Sequence, residues 1–348
     1  MSTEKQFKLS KWISDRGPEK DIVLSSRVRL ARNLQDFPYP NQADSEDLIK
    51  IENLLKEITK KNDKLNLHYI EINRLPDVER QLLVEKNLTS PAHVENGKGK
   101  GVLLNDEENV SIMVNEEDHL RTQVLLPGLQ LDETWEKADF IDDILEEQLD
   151  FAFSEKWGYL SACPTNLGTG LRASVMVHLP GLNMTNNINK MLGAISQLGL
   201  VVRGIYGEGS ESAGNIYQIS NQITLGNTEE DIIDNLKSVT TQIIEEEKNA
   251  RKRLLQEQEI AVKDEIMRSF GTLKYAYKMS SKEAMKLLSN VSLGINMGII
   301  DDIDSGILSE LLILIRPAHL QKKEGKELDH RKRDVIRANL IQEWLNIE

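Results

Sequence analysis

The segment Ser25-Ser26-Arg27-Val28-Arg29-Leu30-Ala31-Arg32 sets two guanidiniums two residues apart. In an extended strand successive side chains alternate, so Arg27 and Arg29 share one face while Val28 and Leu30 share the other. Cations held side by side repel each other. The pair suits an anion between them, because the guanidinium fork matches phosphate oxygens; a solvent-facing strand edge is the alternative. A second segment, Cys163-Pro164-Thr165-Asn166-Leu167-Gly168-Thr169-Gly170-Leu171-Arg172-Ala173-Ser174, joins two glycines and small polar residues to an arginine where a strand begins. Glycines let backbone N–H groups approach an anion closely. Cys163 reads either as a small buried hydrophobe or as a thiol whose pKa the nearby arginines depress.

Two further segments carry carboxylates. Val114-Asn115-Glu116-Glu117-Asp118-His119-Leu120-Arg121 follows a strand, and an arginine and a histidine directly beside three acids allow acid–base work as well as a solvated turn. Arg203-Gly204-Ile205-Tyr206-Gly207-Glu208-Gly209-Ser210-Glu211 is a glycine-punctuated loop suited to closing over a ligand, or a plain surface hairpin. The Walker pattern is absent, since Gly97-Lys98-Gly99-Lys100-Gly101 lacks its spacing and its Ser/Thr. Neither a His-Arg-Asp catalytic loop nor an Asp-Phe-Gly triplet occurs.

Positioning these residues falls to a mixed set of elements. Leu48, Ile51, Leu55 and Ile58 recur at helical spacing over residues 45–61, with Ser45 as the cap. A strand is predicted at 65–72, a helix opened by Pro76 through about Lys86, a loop at 90–101, strands at 101–104 and 110–114, and a helix near 132–150. A strand at 172–179, a helix at 186–198 and strands near 200–206 and 215–225 follow. The short turns favour a largely antiparallel sheet with flanking helices over a doubly wound one. Thr228 with Asp231 opens a long helical stretch to about Met279, and Ser280 with Glu283 forms a second capping box. Helices near 306–315, stopped before Pro317, and 330–346 complete the chain. The fold class is therefore α+β, with a catalytic domain over 1–255 and an all-helical domain over 256–348.

The 348 residues suffice for two such domains, and 39% hydrophobic content is that of a folded chain. The longest apolar run, Leu311 to Ile315, is far short of the roughly 20 residues of a membrane span. The N-terminus has no signal-peptide pattern, and a lone cysteine makes no internal disulfide, so a cytoplasmic location is expected. With 43 Lys+Arg against 56 Asp+Glu the net charge is −13, which disfavours a nucleic-acid footprint and favours cationic substrates.

Ser-Ser-Arg-Val-Arg, Asn-Glu-Glu-Asp-His-Leu-Arg and Cys-Pro-Thr-Asn-Leu-Gly-Thr-Gly, in this order over roughly residues 20–250, resemble the phosphagen (guanidino) kinase superfamily. The loop at 203–211, the absence of the small helical domain that precedes the catalytic domain in creatine and arginine kinases, and the appended helices resemble its bacterial protein-arginine kinase (McsB) branch. The resemblance implies transfer of the ATP γ-phosphoryl group to arginine side chains of proteins. It implies that Arg27, Arg29, Arg121, Arg172 and Arg203 hold the nucleotide phosphates, with His93 near the base or ribose. Flanking nucleotide-site positions would be Ser25, Ser26, Val28, Ala173, Ser174, Val175, Met176, Gly204, Ile205, Tyr206 and Gly207. Glu117 and either Glu208 or Glu211 would engage the substrate, with Cys163 beside them at the catalytic centre. Mg²⁺ would ride on the nucleotide, since no carboxylate cluster looks like a dedicated cage.

In the terminal helix, Arg333 and Arg337 stand at i and i+4 in Arg333-Asp334-Val335-Ile336-Arg337-Ala338. Like charges at that spacing cost about 0.2–0.5 kcal/mol unless an anion or carboxylate intervenes. An ordinary amphipathic helix packed through Val335, Ile336, Leu340 and Trp344 explains the segment structurally. The resemblance makes Arg333, Asp334, Arg337 and Ala338 a regulatory phosphoarginine pocket. It also implies an activator protein of the McsA type, a Clp chaperone-protease, a heat-shock repressor and a homodimer. A kinase of free arginine or another small guanidino compound, and a non-catalytic adaptor, are the competing readings.

Overall fold

In the computed structural model, which describes residues 9–62, 64–95, 97–205, 212–301 and 303–345, ten strands and flanking helices form an α+β fold. The strands are β1 (Val23–Arg32), β2 (His68–Glu71), β3 (Gly101–Leu104), β4 (Val110–Val114), β5 (Leu120–Pro127), β6 (Phe153–Ser154), β7 (Gly158–Tyr159), β8 (Leu171–His178), β9 (Leu200–Gly204) and β10 (Ile216–Asn221). Eight of them make one sheet in the order β2-β3-β4-β5-β1-β8-β10-β9. Every neighbouring pair is antiparallel, as the short connections predict.

Alternation gives the sheet two unlike faces. Val28, Leu30, Val124, Ala173, Val175 and Ile219 point to one side and are buried in the main core with side chains of the helices Ser45–Lys61, Leu131–Glu146 and Glu229–Glu257. Burying one such aliphatic side chain stabilises the fold by about 1.5–3 kcal/mol. The opposite face carries Arg27, Arg29, Arg121, Arg172 and Arg203.

The helical region has its own core, which draws Leu254, Val262, Ile266, Leu288, Leu311 and Leu320 together. The predicted 228–279 helix breaks at Gln258, whose φ and ψ of −137° and 30° separate Glu229–Glu257 from Glu259–Tyr275. Its start is as read: the Thr228 hydroxyl accepts from the Asp231 N–H while Asp231 accepts from the Thr228 N–H. The first long helix differs in its cap. Asp44, not Ser45, accepts from the Glu46 and Asp47 amides at 2.8 and 3.0 Å, because its carboxylate sits one residue before the first turn.

Several elements were not read from the sequence, among them β6, β7 and the short helices Lys11–Ser14 and Pro180–Met184. Strand β5 is another, beginning at Leu120 within the acidic segment that ends in Arg121. Pro317 stops one helix and opens another, Pro317–Glu324, at whose first turn its missing N–H costs nothing.

Candidate active site

The register of three adjacent strands builds the cationic face. Arg29 of β1 lies opposite Arg172 of β8, Arg27 opposite Ser174, and Ala31 opposite Arg121 of β5. Odd positions on β1 and β5 and even positions on β8 therefore project together. Arg203 joins from β9, opposite Gln218 of β10, which is itself opposite Met176. Few partners inside the protein neutralise this group. The Arg27 Nε donates to Ser174 Oγ at 3.2 Å, an Arg172 amine to Ser220 Oγ at 3.1 Å, and Arg121 to Glu116 Oε2 at 3.0 Å. The Nε atoms of Arg29 and Arg172 are buried without a hydrogen-bond partner.

The charges feel one another. Burial, then Arg121 and Arg172, bring Arg27 down to about 10. Arg29 is lowered well below the usual guanidinium value by burial and then by Arg27, Arg121 and Arg172. Burial followed by Arg203 and Arg121 lowers Arg172. A buried donor left unsatisfied costs about 1–3 kcal/mol. Such a cluster persists on a folded protein because it is arranged for an external anion, and polyphosphate supplies the oxygens it lacks. A cavity of about 280 Å³ opens at its β5 side, lined in part by Arg27, Arg29, Arg121, Gln123, Thr89 and Ser90.

The three acids after β4 divide their work. Glu116 pairs with Arg121 and accepts from Ser90 Oγ at 2.6 Å; these contacts outweigh burial and hold its carboxyl below the usual range. Asp118 is buried and accepts from Asn33 Nδ2 at 2.6 Å and the Ala162 amide at 2.7 Å, tying the acidic turn to the Cys163 loop. His119 is likewise structural. It accepts from the Leu34 amide at 3.0 Å through Nδ1, donates to the Pro38 carbonyl at 2.9 Å through Nε2, and burial lowers its pKa. Glu117 alone of the three is exposed. Burial of its neighbourhood and then Asp118 and Glu116 raise its pKa, against Arg121 and a hydrogen bond from Cys163, which lower it. A carboxylate with raised pKa beside a cation cluster is suited to accept a proton.

The remaining predicted positions separate. Ser174 belongs to the cradle, whereas Val28, Ala173 and Val175 are core residues on the opposite face, because alternation splits each run. Ser26 also points away, donating to the Gly128 carbonyl at 2.8 Å and accepting from the Gln130 amide at 2.9 Å. Ser25 is buried opposite Met176 in the register. Met176 and Ile205 pack on the helical core, and Gly204 is paired with Tyr217. His93 does not face the cavity: it is 0% exposed, bonded through Nε2 to the Gly101 carbonyl at 2.9 Å, and burial pushes it down to about 4. Tyr206, Gly207, Glu208 and Glu211 lie outside the described residues.

Gly168 and Gly170 also serve a different end from the one expected. Both have positive φ, +106° and +68°. A Cβ on Gly168 would stand 2.8 Å from Leu225 Cα and one on Gly170 2.7 Å from the Ala31 carbonyl oxygen, so both seat the loop against neighbouring backbone. Cys163 keeps its sulfur 3.0 Å from Thr165 Oγ1 beside Glu117. In the terminal helix, Asp334 relieves the repulsion between Arg333 and Arg337, bonding Arg337 at 2.6 Å. Arg337 is 3% exposed and also donates to the carbonyls of Ile315 and Met279 at 3.0 and 2.9 Å. Val335 is exposed, whereas Ile336, Leu340 and Trp344 pack on the helical core as read, joined by Ala338 and Ile341.

An antiparallel sheet with an arginine cradle and an adjacent glutamate defines a guanidino-phosphotransferase. Residues 50–250, more than half of the chain, match the model for the ATP:guanido phosphotransferase C-terminal catalytic domain, and residues 259–348 match that for the protein-arginine kinase McsB C-terminal domain. A protein-arginine kinase of Halothermothrix orenii is 66% identical over 97% of both chains, and that of Bacillus subtilis 49% over 99% of this chain and 95% of its own. A duplicated taurocyamine kinase from Schistosoma mansoni superposes with a TM-score of 0.59 at 27% identity, covering 71% of this chain and 35% of that one. A lombricine kinase at 23% identity shares the fold with the same TM-score over 69% of this chain and 71% of its own. The chain belongs to the protein-arginine kinase branch of the ATP:guanido phosphotransferase family. Its activity is ATP-dependent phosphorylation of arginine in proteins.

Proposed function

We propose that Arg27, Arg29, Arg121, Arg172 and Arg203 hold the nucleotide phosphates, and that Glu117, with Glu208 or Glu211, receives the substrate guanidinium. The observation that carries this reading is the gathering of these arginines on one sheet face, where the Nε atoms of Arg29 and Arg172 are buried without partners and burial, then neighbouring arginines, lower Arg27, Arg29 and Arg172. These residues fit a triphosphate. Mg²⁺, when bound, neutralises phosphate charge; among the described residues no group of three His, Cys, Asp or Glu side chains is placed to hold it, so the phosphates would carry it.

A guanidinium stays protonated up to a pH above about 12, so its nitrogen attacks only if a carboxylate orients it and accepts a proton. Glu117 takes that proton as the nitrogen–phosphorus bond forms and the bond from phosphorus to the ADP oxygen breaks. The arginines meet the charge that spreads over the equatorial phosphoryl oxygens, and ADP leaves with the freed electron pair. A hydrogen bond from Cys163 favours the carboxylate form of Glu117, against the burial and neighbouring acids that raise its pKa. His93 acts by shaping the loop under the nucleotide cavity.

Residues 1–255 form the catalytic domain in this reading and 256–348 the regulatory one, with Arg333, Asp334, Arg337 and Ala338 as a phosphoarginine sensor. An activator of the McsA type, a Clp chaperone-protease, a heat-shock repressor, a homodimer and a cytoplasmic setting accompany the family resemblance. Among the described residues no helix is long and apolar enough to cross a membrane. Single-turnover transfer by Glu208→Gln and Glu211→Gln identifies the loop carboxylate: one variant loses transfer and the other keeps it. Full activity in both would remove the loop carboxylate from the mechanism.

A further inference from the structure

Another cavity, of about 300 Å³, opens at the end of the sheet that carries Glu117. Register fixes that placement: Arg32, the last residue of β1, lies opposite Leu120, the first of β5, so the chain leaving β1 runs beside the acidic turn. That departing chain and the residues flanking β6 and β7 form the walls, with Phe37, Tyr39, Phe153 and Leu160 among them. None of the described residues lining it is charged, although 28% of the chain is. Hydrogen bonds tie the walls to the turn. Asn33 Nδ2 donates to Asp118 Oδ1 at 2.6 Å and to the Leu160 carbonyl at 3.1 Å, so one amide joins the residue after Glu117 to a cavity wall. His119 repeats the arrangement through the Leu34 amide and the Pro38 carbonyl, and its ring meets Phe37 edge-on, 6.3 Å between centroids. Leu160 leads within three residues to Cys163, which hydrogen-bonds Glu117. Phe153 is 55% exposed, so the cavity presents an aromatic ring to water.

We infer that this cavity receives an aromatic or aliphatic side chain of the substrate protein, a few residues from the arginine being phosphorylated, so that the kinase prefers arginines with such a neighbour. The inference deepens the site proposed above and rests on Glu117 receiving the substrate guanidinium. A protein that brings an arginine to Glu117 must lay its neighbouring residues over the surface around that turn, and Asn33 and His119 make the cavity continuous with it. The walls set the chemistry of the occupant. Apolar carbons gain by leaving water against Phe37, Phe153 and Leu160, whereas a charged side chain would lose hydration and meet no counter-charge. The exposed amides of Gln35 and Gln42 suit the substrate's backbone. Such a contact lies away from the reacting atoms and is made equally before and during transfer, so it lowers KM and leaves kcat alone.

Steady-state kinetics of the full-length chain with MgATP tests this, using peptides that hold one arginine among serine and glycine, with phenylalanine placed at successive positions on either side. The expected result is a KM lower by about tenfold for phenylalanine at one or two of those positions with kcat unchanged, the discrimination an apolar pocket gives. Phe153→Ser, its folding checked by thermal unfolding, should erase that advantage, and Phe153→Leu should keep most of it. Phe140→Ser removes a ring equally open to water, 52% exposed, from the helix Leu131–Glu146 outside the cavity, and should keep the advantage whole. An advantage that survives in Phe153→Ser, or that Phe140→Ser loses equally, overturns the inference. So does a smaller assembly of Phe153→Ser with the preference intact, which would assign the cavity to a second copy of the chain. No advantage at any position, while Glu117→Gln abolishes transfer, overturns the inference and leaves the site standing. Undiminished transfer by Glu117→Gln overturns the reading of the site, and the inference with it.

Discussion

Arg337 in the terminal helix spends its donors on Ile315, Met279 and Asp334, whereas Arg29 and Arg172 in the sheet each bury an Nε with nothing to receive it. Both are buried cations beside other arginines. The first is closed by two carbonyls and a carboxylate on its own helix, and it stitches three helical segments together. The second is held in place by the register of β5, β1 and β8, each strand paired on both edges, so the repulsion cannot be relieved by moving apart. Saturation makes a structural arginine, and enforced crowding makes a binding one. An external anion can enter the cradle directly. At Arg337 it must displace existing bonds, which suits a site that changes the structure when it is filled.

The largest expected effect separates the two groups by function. Arg29→Ala or Arg172→Ala should lower kcat/KM by about 10²–10³, as loss of a transition-state donor does. Thermal stability should hold or rise, since a repelled charge is removed. A fall in stability matching that of an Arg337 variant would break the comparison. Next, Arg337→Ala should cost about 1–3 kcal/mol in thermal or urea unfolding, because the Met279 and Ile315 carbonyls lose their donor. Arg333, which donates to the Leu328 carbonyl, is the cleaner probe of sensing: Arg333→Ala should abolish stimulation by free phosphoarginine and leave basal transfer intact.

The pH profile sharpens the catalytic side. Glu117 works as a carboxylate, and its surroundings raise its pKa above the ordinary 4.5. Transfer should therefore be lost as pH falls through a value higher than 4.5, and a limb at or below it would place the proton acceptor elsewhere. The smallest effect belongs to Cys163. Its hydrogen bond lowers the Glu117 pKa, so Cys163→Ala should move the acid limb further upward with a modest change in the plateau; a downward shift would contradict the contact.

Much of this was legible locally. Alternation in Arg27-Val28-Arg29 placed the cradle and the core on opposite faces, and Thr228 with Asp231 marked its helix. The same alternation, applied to the whole of 172–176, would have removed Ala173 and Val175 from the site. His119 and Asp118 looked catalytic because their partners, Asn33, Leu34, Pro38 and Ala162, are far away in sequence. Gly168 and Gly170 looked like phosphate ligands because the backbone they pack against, at Leu225 and Ala31, is set by tertiary contact. The cavity at Phe37, Phe153 and Leu160 carried no local signal at all, since only the tertiary bonds of Asn33 and His119 bring its walls to the acidic turn.

The most direct test offers the purified chain, with MgATP, an arginine-containing protein and free arginine together, and compares it with Glu117→Gln. Mass spectrometry locates the acid-labile phosphate. Phosphate on protein arginines, reduced by about 10²–10⁴ in the variant while MgADP binding persists, is the predicted result. Label on free arginine alone, or undiminished protein labelling by Glu117→Gln, would contradict it.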